Sequence, residues 1–369
     1  MLRLGLIGTG FGLEVQADAF KYNHIFKMVS VCSKNAAEAK VAKKAAGFST
    51  WYDDWKTLID KDKLDIVSIC TPNYLHYEIA KYAIENDKHV ICAAPFTTTA
   101  KEAEELAELA NRKGKVCVVD HHLNFLPARK FVIKLLKDGK VGRVFTVERN
   151  YFSRDRFFPE TEKKWQNSAE LGGGLFFRNA CHDVDYLLRA VGGVKKVSLN
   201  THTARATVQN SEGELTNITA DDSFQFHIAF HNGSRGIISQ SATSPNKETN
   251  EFIFHGEKGS LLLNNDNEIV FYDLNGEKER IAIPPNFQIT SLPGHRQRSP
   301  FYMFTEVIAT AIYNESPVTP TFDEAVHIQR VIQAGLDSNK YHQWIEVGSD
   351  ISITNQPQQQ SQSVNKIFE

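Results

Sequence analysis

The stretch LRLGLIGTGFG, residues 2–12, decides the fold of the N-terminal part of this chain. Its first half is a short apolar run typical of a buried parallel strand, and glycines follow at alternate positions. Where such a turn joins a strand to a helix, backbone N–H groups and the helix N-terminus can bind a pyrophosphate. A plain glycine turn is the alternative, and Leu13 replaces the usual third glycine. The predicted dinucleotide-binding residues are Gly8, Gly10, Phe11 and Gly12.

Short apolar runs and helical periodicity alternate from this stretch to about residue 120. This alternation is typical of βαβ units, whose right-handed crossovers build a doubly wound parallel sheet. We therefore predict an N-terminal Rossmann domain over residues 1–122. Its predicted strands are 2–7, 27–32, 64–70, 89–92 and 116–119, and its predicted helices lie near 12–22, 35–46, 74–86 and 99–113.

After Pro127 the pattern changes, and turn signals such as Asn232-Gly233 and Asn275-Gly276 separate several β-rich runs between 194 and 283. These signals predict an α+β domain with a large, mostly antiparallel open sheet over residues 123–350, which we expect to bind the substrate. A tail rich in Gln and Ser, 351–369, follows. The other predicted elements are helices near 128–137, 179–191, 299–314 and 322–339 and a strand near 143–151.

Composition narrows the function classes. The net charge of −2 arises from 42 basic and 44 acidic residues without long blocks of one sign, which argues against nucleic acid or a membrane surface as partner. No segment has 18 uninterrupted apolar residues, so we expect a cytoplasmic protein. The five cysteines form no CxxC pair and favour buried, reduced thiols over a zinc or disulfide framework.

The end of the second strand bears on cofactor choice. An acidic residue there would bind the adenosine ribose and exclude a 2′-phosphate, but the sequence has Ser33 and Lys34. A hydroxyl and a cation suit NADP, so NADP is favoured slightly over NAD. A solvated surface position for Lys34 is the alternative.

Other candidates follow from position alone. His121, His122 and Asn124 come directly after the fifth strand, at the carboxyl edge where ligands bind in such sheets. A second group, which includes three arginines, could form an anion-binding rim for the substrate, although exposed loop charges are the alternative for two of them. That group is Tyr151, Arg154, Arg156 and Arg178.

Three separated motifs then identify a family resemblance. They are LDIVSICTPNYLH at 64–76, HVICAAP at 89–95 and GGGLFFRNACH at 172–182. Together they resemble the strand and Thr-Pro turn, the Glu-Lys-Pro motif and the glycine-rich start of the His-bearing helix in the Gfo/Idh/MocA family of NAD(P)-dependent oxidoreductases. The resemblance extends to about residue 347.

The resemblance implies roles for residues that otherwise indicate only a turn and a surface helix. It implies that one group lies along the cofactor and another passes beside the nicotinamide, with a cis peptide before the proline as in many relatives. It also implies a homodimer or homotetramer formed through the open sheet face. The first group is Thr71, Pro72, Asn73 and His76, and the second is Ala93, Ala94 and Pro95.

This chain departs from the family pattern at three positions. Ala94 replaces the lysine that supports proton transfer, Ala93 replaces the preceding glutamate, and Arg178 replaces an aspartate four residues before His182. His182 is retained and is the predicted general acid/base, with an ordinary pKa near 6.5 and a structural histidine as the alternative. Asp183 and Asp185 follow it closely in sequence, but adjacent helical positions diverge, so no metal is predicted.

Two functions compete. The first is an NAD(P)-dependent oxidoreductase that transfers a hydride between nicotinamide and a sugar, polyol or sugar acid, with His182 in place of the lysine. The second is a non-catalytic sensor of the same fold that binds NAD(P) and a sugar-like ligand. Engineering of the Ala93-Ala94 pair to trap a complex is a third explanation for the missing lysine.

Overall fold

The computed structural model describes residues 1–154, 165–209, 213, 215–245 and 248–348. The predicted rim residue Arg156 and the predicted polar tail 351–369 lie outside the described residues.

The N-terminal part is a parallel sheet of six strands in the order β3-β2-β1-β4-β5-β6, and each strand pair is parallel. The order reverses between β1 and β4, which creates the crevice in which open α/β sheets bind ligands. The predicted Rossmann sheet is therefore confirmed. Its strands are β1 Leu2–Ile7, β2 Phe26–Cys32, β3 Thr50–Tyr52, β4 Ile66–Ile69, β5 His89–Ala93 and β6 Cys117–Asp120, and its helices are α1 Asp18–Tyr22, α2 Ala36–Ala46, α3 Trp55–Lys61, α4 His76–Glu85 and α5 Ala100–Lys113.

The sequence pattern missed β3 and α3, and it predicted one continuous helix near 12–22 where the structure has two segments. Both missed elements are short, and β3 has no buried residue, so neither leaves a periodic apolar signal. The segment Gly12–Ala17 is a π-helix that continues into α1. The turn after β4 begins with a 3₁₀ segment, Asn73–Leu75, so α4 starts only at His76.

The second part is a nine-stranded sheet in the order β16-β15-β14-β13-β7-β12-β11-β8-β17. Only β7 and β12 pair in parallel, so the prediction of a large, mostly antiparallel sheet is confirmed. One face packs on α6, α7 and α9. The elements are α6 Pro127–Lys137, β7 Val144–Phe152, α7 Leu175–Ala190, β8 Val194–His202, β9 Thr207–Gln209, β10 Leu215–Asn217, β11 Ser223–Phe230, β12 Arg235–Ser241, β13 Thr249–Gly256, β14 Gly259–Asn264, β15 Glu268–Tyr272, β16 Lys278–Ile281, α8 Arg298–Asn314, α9 Phe322–Tyr341 and β17 Ile345–Glu346, with β9 and β10 forming a separate pair.

The chain returns to the N-terminal sheet after the large sheet is complete. On α8, Phe301 and Phe304 are fully buried in one apolar cluster with Leu4 and Phe20 of the Rossmann part. Phe322 at the start of α9 joins a second Rossmann cluster. The two halves of the molecule are therefore joined by shared packing as well as by the chain at residue 122, and the domain limits drawn along the sequence stay a prediction.

All five cysteines are free, and four of them are buried, which agrees with the expected reduced thiols. Among the described helices, none is long and apolar enough to cross a membrane.

Candidate active site

The glycine turn after β1 has the backbone that a bound diphosphate needs. Gly8 has a φ of +108°, and a Cβ there would lie 2.2 Å from the carbonyl oxygen of Cys70 on neighbouring β4. Only glycine fits this close approach of two strands. A Cβ on Gly10, in contrast, would meet no atom within 4 Å, so this glycine borders open space.

The Thr-Pro turn after β4 lies beside the glycine turn and offers unpaired polar atoms. The hydroxyl of Thr71 and the side-chain oxygen of Asn73 are buried without a hydrogen-bond partner among the described residues, while the Asn73 amide donates to the carbonyl of Gly172 at 3.2 Å. Unpaired buried polar atoms cost free energy unless a ligand bonds them. Together with the glycine turn, these atoms fit a dinucleotide lying across the β1–β4 crevice.

His76 holds the walls of this crevice together. Its Nδ1 lies 3.0 Å from the carbonyl oxygens of both Pro95 and Phe96, and its Nε2 lies 2.9 Å from that of Thr71. Burial lowers the pKa of this imidazole. The peptide between Ala94 and Pro95 is cis, as predicted. His76 thus binds the two predicted cofactor-binding turns to each other, and its contact with the cofactor itself stays a prediction.

A carboxylate lies at the end of β2, where the sequence pattern indicated none. Glu38 on α2 accepts hydrogen bonds from the hydroxyls of Ser33 at 2.9 Å and Thr9 at 3.2 Å. The side chain of Lys34, in contrast, is exposed. The turn after β1 and the end of β2 are therefore bridged by a negative charge.

The helix that carries His182 begins four residues earlier than its periodicity predicts. Gly174 precedes α7 with a φ of +102°, and the carboxylate of Asp221 accepts the backbone N–H of Phe176 at 2.8 Å. A Cβ on Gly174 would lie 2.2 Å from that carboxylate, so glycine is required. A distant loop thereby sets the start of α7 and the direction in which its side chains point.

One face of α7 borders a cavity of about 420 Å³, which is lined by residues of the second part of the molecule. The lining comes from α6, α7, four strands or turns of the large sheet, and the segments around residues 123 and 296. Most of the lining side chains are polar, which suits a hydroxylated ligand better than an apolar one. The lining residues are Leu123, Leu126, Arg129, Arg149, Tyr151, Asn179, His182, Asp183, Gln240, Asn250, Asn265, Asp266, Asn267, Arg296 and Gln297.

Two buried ion pairs form the floor of this cavity. Arg149 donates to Asp183 at 2.9 Å and Arg129 to Asp266 at 2.7 Å. Burial raises the pKa of Asp183 despite Arg149, whereas burial of Asp266 is outweighed by Arg129 and its pKa is lowered. Asn250 joins the pairs, because its oxygen accepts from Arg149 and its amide donates to Asp266. Linked in this way, the charged groups are held in place before any ligand arrives.

His182 faces the cavity and a second imidazole. Its Nδ1 lies 3.2 Å from the Nδ1 of His121, with the two rings nearly perpendicular at 80°. Burial, and then the neighbouring His121 and His122, lower the pKa of His182 to about 3. The ordinary pKa near 6.5 expected from sequence is therefore wrong for this environment, and His182 is neutral throughout the neutral pH range.

The other predicted polar residues after β6 bond to protein groups. The Nδ1 of His122 lies 2.6 Å from the carboxylate of Asp120, which also accepts from the amide of Gln16 at 2.9 Å. The amide of Asn124 donates to Asp185. Neither His122 nor Asn124 lines the cavity, so direct contact of these two with a substrate stays a prediction.

The predicted anion-binding rim is divided in the structure. Tyr151 lines the cavity, and Arg154 is exposed. Arg178 is not among the lining residues, and its guanidinium lies 5.8 Å from the ring centre of Trp165. On α7 the cavity-facing residues are instead Asn179, His182 and Asp183. The two aspartates that follow His182 in sequence have different partners, since Asp183 pairs with Arg149 and Asp185 with Arg189.

Sequence reasoning missed the cavity floor. One signal was present, because Arg129 lies on the apolar face of α6, between Ala128 and Val132, where a charged residue needs a buried partner. The remaining floor residues come from β7, α7, β13 and the turn between β14 and β15, and they have no shared motif.

The fold and the site together define a protein with a dinucleotide-binding type of Rossmann sheet and a second part that carries a polar cavity. Two family models match it: the NAD-binding Rossmann domain of the Gfo/Idh/MocA oxidoreductases over residues 2–121 and their C-terminal alpha/beta domain over residues 133–347. The chain therefore belongs to the Gfo/Idh/MocA family of oxidoreductases, and the predicted resemblance is confirmed.

Relatives match along most of the chain. Levoglucosan dehydrogenase of Pseudarthrobacter phenanthrenivorans is 24% identical over 382 residues, covering 94% of this chain and 98% of the relative. A scyllo-inositol 2-dehydrogenase (NADP(+)) of Bacillus subtilis is 27% identical over 290 residues, covering 77% of this chain and 83% of the relative. The structure of a levoglucosan dehydrogenase in complex with NADH and L-sorbose has a TM-score of 0.85 at 23% identity and covers 94% of this chain and 99% of its own.

Proposed function

We propose that this enzyme transfers a hydride between a nicotinamide cofactor and a CH–OH group of a sugar, polyol or sugar acid. The observation that carries the proposal is the polar cavity of about 420 Å³ with His182 on its wall. Relatives that act on levoglucosan and scyllo-inositol support a carbohydrate-like substrate. When bound, the cofactor supplies or accepts the hydride, and the protein side chains orient the substrate and move the proton.

The lining of the cavity indicates how such a substrate would be bound. Amides, carboxylates and guanidinium groups supply donors and acceptors on several sides, as a ring with many hydroxyl groups requires. Three arginines face two aspartates in the lining, Arg129, Arg149 and Arg296 against Asp183 and Asp266, which leaves one positive charge while His182 is neutral. This charge suits a substrate with one acid group as well as a neutral one.

The test is turnover by the purified protein. We expect a panel of inositols, glucosides, anhydrosugars and sugar acids, each with NAD or NADP, to include a substrate that changes the absorbance of the reduced nicotinamide. Binding of a sugar in the presence of cofactor without any turnover would contradict the proposal and favour the sensor.

We also propose that NAD is preferred over NADP. Sequence alone slightly favours NADP, but Glu38 lies against Ser33 and Thr9, where the 2′-hydroxyl of the adenosine ribose would approach. A carboxylate there accepts a ribose hydroxyl and repels a phosphate. Lys34, being exposed, offers little to offset this charge.

Replacing Glu38 with arginine is expected to shift the ratio of NADPH to NADH affinity toward NADPH by about 10- to 100-fold, because hydrogen bonds to a charged group contribute about 1.5–3 kcal/mol. Calorimetric titration with each reduced cofactor measures this without a substrate. Lys34→Ala is the matched control and should change the ratio much less. Equal affinity of the unmodified protein for both cofactors would show that Glu38 does not discriminate.

The substitution Ala94→Lys separates the enzyme from the sensor. Ala93 pairs with Asp120, so residue 94 follows β5 beside His121, and the Ala94 side chain packs against the cores of both halves. We expect the unmodified protein to be active already and Ala94→Lys to change kcat by less than about tenfold, since His182 supplies the acid/base step. Steady-state kinetics with Ala94→Met, of similar length but without an amine, provides the control. Activity confined to the lysine variant would instead identify a sensor that has lost its chemistry.

We propose further that two or four copies associate through the open face of the nine-stranded sheet. Three large side chains on that face or at its edge are exposed: Phe145 and Trp344 by 46% each and Ile237 by 40%. Such a patch on a sheet face is typical of an interface between subunits.

A further inference from the structure

The imidazoles of His121 and His182 lie close enough to share a proton. His121 follows β6 in the Rossmann part, and His182 lies on α7 of the second part. The contact therefore joins the two halves of the molecule. At 3.2 Å between the two Nδ1 atoms, one nitrogen must donate its proton and the other must accept it. Two unprotonated nitrogens could not approach in this way.

The contact also assigns the remaining nitrogen of His182. With Nδ1 directed at His121, Nε2 is the nitrogen left for the cavity that His182 lines. The buried His121 does not line that cavity. A substrate hydroxyl in the cavity therefore reaches His121 only through His182.

We propose that His121 and His182 form a proton relay that replaces the missing lysine of the family, with His121 as a positioning and proton-accepting residue. This inference rests on the proposed oxidoreductase function. It explains how the reaction proceeds with Ala94 at the lysine position, which brings no proton-transferring group to the site.

In the oxidation direction the relay moves two protons, and one hydride leaves the substrate. The O–H bond of the substrate breaks, and its proton passes to Nε2 of His182. The Nδ1–H bond of His182 breaks, and that proton passes to Nδ1 of His121. A bound oxidised nicotinamide would accept the hydride that leaves with the electron pair of the C–H bond. His182 ends neutral in its other tautomer, and His121 ends as a cation with protons on both nitrogens.

The surrounding charges favour a cation on His121 over a cation on His182. His182 faces His121, His122, Asp120 and Arg129, and a positive charge on it is opposed by burial and by the neighbouring imidazoles. His121 faces Asp185, Arg189, Asp120 and His122, and Asp185 is the charge that most favours its protonation, although burial lowers its pKa. In the relay His182 never carries a net charge, and the cation forms next to a carboxylate.

The first test reads the tautomers directly in the NAD-bound protein with ¹⁵N-labelled histidine. We expect NMR spectra to show the His182 proton on Nδ1 and the His121 proton on Nε2, and the His182 signals to change in His121→Phe, which keeps the ring but has no nitrogen. A His182 proton on Nε2 in the unmodified protein, with Nδ1 accepting from His121, would overturn the oxidation relay.

The second test uses kinetics in mixtures of H₂O and D₂O with the substrate found by the panel. We expect kcat to fall about 100-fold or more in His121→Phe and His121→Asn, with KM changed less than about threefold, because general acid–base catalysis contributes about 10²–10⁴. The plot of rate against deuterium fraction should curve for two transferred protons in the unmodified enzyme and become linear in His121→Asn. His24→Asn, an exposed histidine in the turn between α1 and β2, is the control. Unchanged kcat in both His121 variants would eliminate the relay alone, whereas no turnover by the unmodified protein would eliminate the proposed function.

Discussion

Replacing Gly8 with alanine is expected to destabilise the protein by about 3 kcal/mol or more and to abolish dinucleotide binding. Its φ of +108° is strained for any residue with a Cβ, and that Cβ would lie 2.2 Å from the Cys70 carbonyl oxygen, which belongs to the backbone and cannot rotate away. Thermal unfolding and calorimetric titration with NADH measure the two effects.

Gly10→Ala is the matched control for this substitution. Its Cβ would meet no protein atom within 4 Å, so we expect the free energy of unfolding to change little. NADH affinity should still fall, because the methyl group enters the space through which a pyrophosphate approaches the backbone. If Gly10→Ala binds NADH as tightly as the unmodified protein, the diphosphate lies elsewhere and the assignment of the glycine turn fails.

The second large effect is expected at His182. His182→Asn should lower kcat by about 10²–10⁴, the usual contribution of a general acid or base, while NADH affinity stays within about threefold. Stopped-flow and steady-state measurements separate these two quantities. A variant with normal kcat would show that His182 is only a structural residue.

Acid unfolding gives an independent check on His182. Burial lowers its pKa to about 3 in the folded protein, below the ordinary value of 6.5 in the unfolded chain. Between these two values the unfolded chain binds a proton that the folded protein does not. Stability from this group is therefore complete above about pH 6.5 and is lost as the pH falls toward 3. We expect His182→Asn to lose less stability than the unmodified protein over this range when both are titrated with denaturant.

The site retains groups suited to the proposed reaction although Ala94 stands at the lysine position. Loss of the lysine at position 94 removes one proton-transferring group, yet the crevice keeps a histidine pair and a cavity floor of linked ion pairs. Much of the rate of a hydride transfer comes from holding the reacting carbon atoms in position, which a rigid polar floor can do. We therefore expect the positions of Arg129 and Arg149 to affect activity as well as the acid/base step.

The sequence predicted the Rossmann half well because its signals are local. An apolar strand, a glycine turn and a helix follow one another within residues 2–22, and the same pattern repeats to β6. It also placed His182 and the cis peptide before Pro95, through the resemblance to a family. Arg178 does not line the cavity, and the start of its helix depends on Asp221, which lies more than forty residues later.

The charge at the end of β2 also depends on a residue that the strand itself does not contain. The segment after β2 contains a hydroxyl and a cation, and a linear reading assigns the cation to a phosphate. Helix α2 then brings Glu38 back to Ser33 and Thr9, which places a negative charge at the end of β2.

By itself the sequence determined the parallel sheet and the glycine turn after β1, since both depend on neighbouring residues and their periodicity, and the family resemblance singled out His182. Only the tertiary structure decided what surrounds that histidine. The pairing of His182 with His121, the shift of its pKa and the Arg129–Asp266 and Arg149–Asp183 floor each join residues at least 34 positions apart in the chain. Burial and charge act through space, so they are established only when distant segments of the chain pack together.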